Sequence, residues 1–358
     1  MTTFLPAWGE ELSGHTLKGR KAKNVRGGRT RAPKQQGRPG LTGPAAIERI
    51  KRIVKRAPEV VVKISGGGRN MRHVKAHMDY ISRNGEVAVE NERGEIYEGR
   101  EDIRALRDEW KHGGIGMPEH GEKRREALNI VFSMPAGTHR PSVTTAVREL
   151  ARENFQGHQY AFAEHDDEDH THVHLVVKIA GFDGYRLQHR KADLAHWRDS
   201  FAEHLRAQGI EANATTRKAR GVVQRPVRQA IKQMEQDGRT SYRAEQQRQD
   251  ARQEAKSGKP RANPAERNIA RQRQRVQRVY AEIARTLVAQ GDVESRELAV
   301  GIVGMVKSMP TLQTRHQALV EQFKQVEQAG QGRAPSLTPA KASDPRPPAS
   351  PPKGQDRD

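Results

Sequence analysis

Three histidines at a spacing typical of metal ligands are the residues in this sequence with the clearest chemical potential. His172 and His174 lie two apart in an apolar run that predicts a β-strand, so both imidazoles point to one face of it. His165 follows an earlier apolar run, Tyr160–Ala163, and the acidic residues between the two runs predict a tight turn that brings His165 beside the pair. Three neutral imidazoles placed in this way predict a divalent-metal site with positions left open for a substrate.

The spacing alone leaves the metal open among Zn, Mn, Mg, Ni and Fe. It also leaves an alternative without a metal, in which the His-rich acidic turn is a solvated loop and the strand histidines are core residues whose hydrogen bonds are made within the protein. The flanking acids Asp166, Asp167, Glu168 and Asp169 favour the metal site. Carboxylates there can raise the local metal affinity, or orient a ligating histidine by accepting its second N–H.

A tyrosine stands off the buried stripe of an earlier predicted helix. In MRHVKAHMDYISRN, residues 71–84, the apolar stripe is Val74, Met78 and Ile81, whereas Tyr80 shares another face with His73 and His77. Such a tyrosine is either an ordinary surface residue or a nucleophile. A phenol can attack a phosphodiester if a metal polarises the phosphate oxygens and a base accepts the proton.

Composition points to a polyanionic partner. The net charge is +20 with a pI near 10.4, which favours nucleic acid, with an anionic membrane surface as the alternative. The absence of cysteine excludes disulfides, thiolate catalysis and Cys-type zinc sites. No apolar run is long enough to span a bilayer and the first residues show no secretory signal, so we expect a cytoplasmic protein.

The pattern of the chain predicts an α+β core between two extensions. Residues 1–57 read as a basic, mostly disordered arm that ends in a short helix near Ala45–Arg56. Residues 58–215 predict an antiparallel sheet of about five strands flanked by helices, residues 216–330 a basic helical region, and residues 331–358 a Pro-rich disordered tail. The predicted strands are Glu59–Ser65, Val87–Val89, Ile96–Tyr97, Leu128–Ser133, Gln159–Glu164 and Thr171–Ile179, and the predicted core helices run from a cap at Asn70 to about Asn84 and over Arg100–His112, Pro141–Asn154 and Ala192–Gln208.

Two motifs in the right order resemble the relaxase family of mobilisation proteins, which are HUH endonucleases. The first is HMDYISRNG around Tyr80 and the second is HDDEDHTHVHLVV from His165, with LNIVFSMPAGTHR between them resembling the family's central strand and following turn. The sequence is most similar to the branch that contains the T-DNA border endonuclease. It departs from the family pattern in having Thr171 where Pro is frequent, and in the long basic arm before the domain.

The resemblance implies a fold, a reaction and a set of site residues. Tyr80 would attack the scissile phosphate of single-stranded DNA at a transfer origin, giving a 5′-phosphotyrosine link and a free 3′-OH, and the same site could rejoin the ends. His165, His172 and His174 would hold one Mg²⁺ or Mn²⁺. Asp169 matches the family's acidic position and would orient a histidine or take the tyrosine proton, with Asp167 as the second candidate. His170 would assist from outside the ligand set or be an exposed turn residue.

We also expect Arg69, Arg83 and Lys178 to contact DNA. The implied partners are accessory mobilisation proteins and the coupling protein of a type IV secretion system, and the implied setting is the bacterial cytoplasm with transfer of the protein to a recipient cell alongside the DNA. Two other functions stay open. One is a non-catalytic DNA-binding mobilisation or replication accessory protein with a structural metal, and the other is a metal-dependent nucleic-acid hydrolase in which water is the nucleophile.

Overall fold

The structure is a computed structural model that describes residues 43–113, 116–119, 123–223 and 229–332. Most of the predicted basic arm and nearly all of the predicted Pro-rich tail lie outside these residues. The described chain divides into two compact units. One contains residues 43–223 and 265–312, and the other contains residues 229–264 and 313–332.

The first unit is built on a six-stranded sheet in which every neighbouring pair is antiparallel. The spatial order is β1–β4–β6–β5–β2–β3. This confirms the predicted antiparallel sheet with flanking helices, with six strands instead of about five. The strands are β1 (Val61–Gly66), β2 (Val89–Asn91), β3 (Ile96–Tyr97), β4 (Ala127–Ser133), β5 (Tyr160–His165) and β6 (His172–Lys178).

Two helices cover each face of the sheet, because the strands at its centre are apolar on both sides. Alternation along β6 sends Val173, Leu175 and Val177 to one core and Val176 to the other. The first core is closed by α4 (Arg140–Asn154) and α5 (Lys191–Ala207), and the second by α2 (Met71–Ile81) and α3 (Gly99–His112).

Helix α2 has the amphipathic pattern that the sequence predicts. The Asn70 side chain caps it by accepting a hydrogen bond from the backbone N–H of His73 at 3.1 Å. Val74, Met78 and Ile81 are at most 1% exposed, so the predicted stripe is buried. The helix ends at Ile81 and not near Asn84 as predicted, since the chain turns into the left-handed region directly afterwards, with φ of 48° at Arg83 and 58° at Asn84.

Gly85 completes this turn at a position that excludes other residues. Its φ is +98°, and a Cβ there would come within 2.5 Å of the Gly99 carbonyl carbon. The turn is therefore held tightly against the start of α3.

A further cluster of the first unit joins segments that are distant in sequence. Helix α1 (Pro44–Val54) buries Ile50 against α8 (Pro264–Gln290) and α9 (Val293–Lys307). In the second unit α7 (Tyr242–Ser257) packs on α10 (Arg315–Gly332), preceded by α6 (Gln229–Gln236). None of the helices in the described residues is long and apolar enough to cross a membrane.

Candidate active site

The three histidines predicted as metal ligands meet at one end of the central strands. His165, the last residue of β5, is directly opposite His172, the first residue of β6. The period of two along β6 places His174 on the same face as His172, and this face is the one that α2 covers. One nitrogen from each ring lies within 4.8 Å of the other two.

The three rings are buried, and the hydrogen bonds of His165 and His172 each leave one ring nitrogen with an unused lone pair. The exposed fractions are 1% for His165, 6% for His172 and 7% for His174. His165 Nε2 donates to the Ile81 carbonyl at 2.7 Å, which leaves its Nδ1 as the lone-pair nitrogen. His172 Nδ1 donates to the His170 carbonyl at 3.2 Å, which leaves Nε2.

Two buried nitrogens in this cluster have no hydrogen-bond partner. They are Nδ1 of His165 and Nδ1 of His174. Because burial disfavours a charged imidazole, it lowers the pKa of His174 to about 3 and also lowers the pKa of His165. These two imidazoles are therefore neutral near pH 7, which is the state that binds a metal ion. Buried unpaired nitrogens on neutral, convergent rings fit a divalent cation.

Tyr80 lies on the open side of this cluster. Its side chain is 56% exposed, and its ring centroid is 5.4 Å from that of His174 and 5.7 Å from that of His165. The buried apolar stripe of α2 fixes the rotation of this helix about its axis. That rotation places the exposed Tyr80 ring beside the sheet histidines. The phenol is therefore accessible from solvent while its ring lies against the cluster.

A fourth histidine completes the surroundings of the phenol. His77 stacks on Tyr80 with 6.0 Å between ring centroids and 25° between ring planes. Its Nε2 is buried without a partner, and burial lowers its pKa to about 4. His77 is not among the site residues that the sequence predicts. Its spacing of three residues from Tyr80, which places both on one helix face, is the sequence feature that indicates their contact.

Of the two candidate carboxylates, the structure brings Asp167 to the histidines and leaves Asp169 in the exposed turn. Asp167 Oδ1 is 3.5 Å from His172 Nε2, and its Oδ2 is 2.9 Å from Arg83 Nη2. Asp169 makes no ion pair or hydrogen bond through its side chain with the described residues. His170 is exposed and stacks on His172 at 5.2 Å between centroids.

The three predicted DNA contacts lie in different surroundings. Arg69 is exposed just before α2, and Arg83 is half-buried and paired with Asp167. Lys178 is 2% exposed, and its Nζ donates to the carbonyls of Trp110 and Gly113 and to Gln159 Oε1. This placement contradicts the prediction that Lys178 contacts DNA, because its ammonium group points into the protein and is used there.

Comparison with known proteins agrees with this geometry. Residues 80–210 match the relaxase family model described as the MobA/VirD2-like nuclease domain, which confirms the resemblance seen in the motifs. The matched segment contains Tyr80, the three sheet histidines and the carboxylates of the turn.

Particular relatives cover less than the whole chain. The T-DNA border endonuclease VirD2 of Rhizobium radiobacter is 28% identical over an alignment of 188 residues, which covers 47% of this chain and 44% of that protein. VirD2 of Rhizobium rhizogenes is also 28% identical over 188 residues, covering 47% of this chain and 43% of that protein. The alignment thus spans less than half the length of the curated relatives.

Proposed function

We propose that this chain is a relaxase that cuts one DNA strand at a transfer origin by tyrosine transesterification. The observation that carries the proposal is the position of Tyr80, an accessible phenol whose ring lies within 6 Å of two of three convergent, buried imidazoles. An exposed tyrosine without a chemical role would not be expected to lie against His165 and His174, whose ring nitrogens lack hydrogen-bond partners.

The reaction exchanges one phosphate ester for another. The Tyr80 oxygen forms a bond to the scissile phosphorus while the bond from phosphorus to the 3′ oxygen breaks. The phenol proton passes to a base, and the departing 3′ oxygen takes up a proton to become a hydroxyl. Since the number of phosphate ester bonds is unchanged, the same site can run the step in reverse and rejoin ends.

His165, His172 and His174 would hold the divalent cation that the family uses. When bound, it supplies charge stabilisation to the non-bridging phosphate oxygens. The donor set of three imidazoles suits Mn²⁺ better than Mg²⁺, because Mg²⁺ prefers oxygen ligands.

The surrounding residues orient these groups. The Ile81 carbonyl fixes the tautomer of His165, and Ile81 is the neighbour of Tyr80, so the end of α2 positions both the nucleophile and a ligand. Asp167, held by Arg83, lies beside His172 Nε2, the nitrogen that would face the cation, and adds negative charge there. Asp169, exposed in the same turn, is our first candidate for taking the tyrosine proton, with Asp167 as the second.

The wider role follows from the same proposal. A net charge of +20 suits a DNA partner, and single-stranded DNA at a transfer origin is the substrate that a relaxase nuclease domain implies. We place the protein in the bacterial cytoplasm, where accessory mobilisation proteins and a type IV secretion coupling protein would receive it, and from which it would travel with the cut strand.

The test is formation of a covalent protein–DNA adduct. The full chain is incubated with Mn²⁺ and end-labelled single strands tiled across the replicon that encodes it, and products are separated on a denaturing gel. We expect a retarded, protease-sensitive band on one strand, mapped by peptide mass to Tyr80. Tyr80→Phe should abolish the adduct and retain DNA binding, whereas Tyr242→Phe, at another exposed tyrosine (81%), should leave the adduct unchanged.

Other results would favour the alternatives. Cleavage without any adduct would indicate a hydrolase that uses water. An adduct that survives Tyr80→Phe would place the nucleophile elsewhere. DNA binding with neither cleavage nor adduct on any strand would leave the non-catalytic accessory protein.

A further inference from the structure

A strongly basic cavity lies between α2 and α3, apart from the histidine cluster. Its volume is about 430 Å³. Four cations and one carboxylate are among its lining residues, and a single apolar side chain, Ile103, joins them. The lining residues are Lys75, Asp79, Asn84, Arg100, Ile103, Arg104 and Arg107.

Most of the positive charge in this cavity is not neutralised. Asp79 pairs with Arg107 at 2.6 Å. Lys75, Arg100 and Arg104 are exposed, and no carboxylate of the described residues lies within 4.0 Å of their charged nitrogens. The cavity is therefore a site of net positive charge that is open to an anion from solvent.

The arginines on α3 concentrate positive charge on one side of the helix. Arg100 and Arg104 are four residues apart, a spacing that places them on the same face and at which like charges repel. Arg100 also lies in the first turn of α3, where the helix dipole disfavours a positive charge. A bound anion would reduce this repulsion.

The position of the cavity identifies the ligand. Lys75 and Asp79 lie one turn apart on α2, and Asp79 immediately precedes Tyr80. At about 100° per residue, the cavity and the phenol occupy neighbouring sides of a helix about 10–12 Å wide. A strand whose scissile phosphate meets Tyr80 has its next phosphates within that reach.

We infer that this cavity binds backbone phosphates of the single strand that flanks the scissile phosphate. This inference rests on the proposed function. The lining offers cations without aromatic platforms, so it suits phosphates and not bases, and it should hold the strand in place without reading its sequence. The small apolar content also argues against a pocket for a drug-like molecule.

The test measures how single-strand binding depends on salt. Fluorescence anisotropy of labelled oligothymidylate is recorded with the full chain in a chelator, over a range of KCl concentrations, for the parent and for Arg100→Gln/Arg104→Gln. Each phosphate contact adds about 0.7 to the slope of log affinity against log salt for single strands, so losing two should make it shallower by about 1.4. The matched control is Arg267→Gln/Arg271→Gln, two exposed arginines at the same spacing on α8, which should keep the parental slope.

Each outcome bears on the inference. A parental slope in Arg100→Gln/Arg104→Gln, or an equal loss in the control pair, overturns it. An equal loss of slope on duplex DNA overturns the assignment to a single strand. The variant should melt at or slightly above the parental temperature because a like-charge pair is removed, and this measurement excludes misfolding. The binding assay contains no metal and involves no cleavage, so its result does not depend on the adduct assay. Absence of the Tyr80 adduct would refute the proposed function, whereas the salt dependence would still show whether the cavity binds phosphates.

Discussion

The two ends of strand β6 bury polar side chains on the same face of the sheet, yet only one end is satisfied. At the far end the ammonium group of Lys178 donates to three oxygens: the carbonyl of Trp110 in α3, the carbonyl of Gly113 just after α3, and Oε1 of Gln159 just before β5. At the near end His174 has a buried nitrogen with no partner, as does its neighbour His165 on β5.

The two ends differ in whether the buried polar side chain makes all of its hydrogen bonds, and this difference distinguishes a structural group from a candidate ligand. Burying a polar group without a hydrogen bond costs about 1–3 kcal/mol, so proteins rarely leave one unpaired. The three N–H donors of the Lys178 ammonium group are all used, and the side chain connects α3 to the sheet. At the histidine end the unused lone pairs of His165 and His174 are positioned to bind a divalent cation, as we propose.

The largest effect that this comparison predicts is stabilisation by metal at the histidine end. Mn²⁺ at about 100 times its Kd should raise the free energy of unfolding by about 2.7 kcal/mol. His174→Leu should lose this increment, while in a chelator its stability should stay within about 1 kcal/mol of the parent, because the nitrogen it removes had no partner. Chemical denaturation with Mn²⁺ and with chelator measures both.

A metal-free protein strongly destabilised by His174→Leu would contradict the comparison, because the imidazole would then be a structural group. Retention of the full Mn²⁺ increment in that variant would place the ion elsewhere.

The sequence predicted the histidine end better than the lysine end, for a physical reason. The convergence of His165, His172 and His174 depends on strand periodicity and one short turn, both of which are local. The exposure of Tyr80 likewise follows from the stripe of its own helix. The surroundings of Lys178 depend on carbonyls at the end of α3, more than sixty residues away in sequence, and no pattern around Lys178 indicates them.

Long-range packing limited the prediction in other places too. The short helix near Ala45–Arg56 was expected and is present as α1, but its burial of Ile50 against α8 and α9 joins segments more than two hundred residues apart. The end of α2 was predicted three residues too late, because Arg83 and Asn84 adopt left-handed angles that glycine prefers and that propensities do not assign to them.

The second prediction concerns the satisfied end. Lys178→Met keeps the apolar stem and removes the ammonium group, leaving the Trp110, Gly113 and Gln159 oxygens without this donor. We expect the free energy of unfolding to fall by about 2 kcal/mol. The Mn²⁺ increment should persist, since the change lies at the opposite end of β6.

The control for this variant is Lys63→Met, at an exposed lysine of β1 for which no ion pair is found within the described chain. It should unfold like the parent. If both variants were equally stable, the hydrogen bonds of Lys178 would contribute nothing, and the contrast between the two ends would fail.

The smallest stability effect is expected at the carboxylate beside the histidines. Asp167 is 47% exposed and Arg83 is 34% exposed, so their ion pair should contribute less than about 1 kcal/mol to stability. Its effect on the metal should be larger, because a carboxylate beside the nitrogen that would face the cation attracts that cation, and groups next to metal ligands typically change metal affinity 10–100-fold. Asp167→Asn should therefore weaken Mn²⁺ binding, measured by titration calorimetry, with little change in the denaturation midpoint of the metal-free protein.

Asp169→Asn is the matched control, because its carboxylate in the same turn contacts none of the described residues. Equal loss of Mn²⁺ affinity in both variants would show that the turn acts through its total charge, whereas loss in Asp167→Asn alone would assign the effect to the carboxylate that lies beside His172 Nε2.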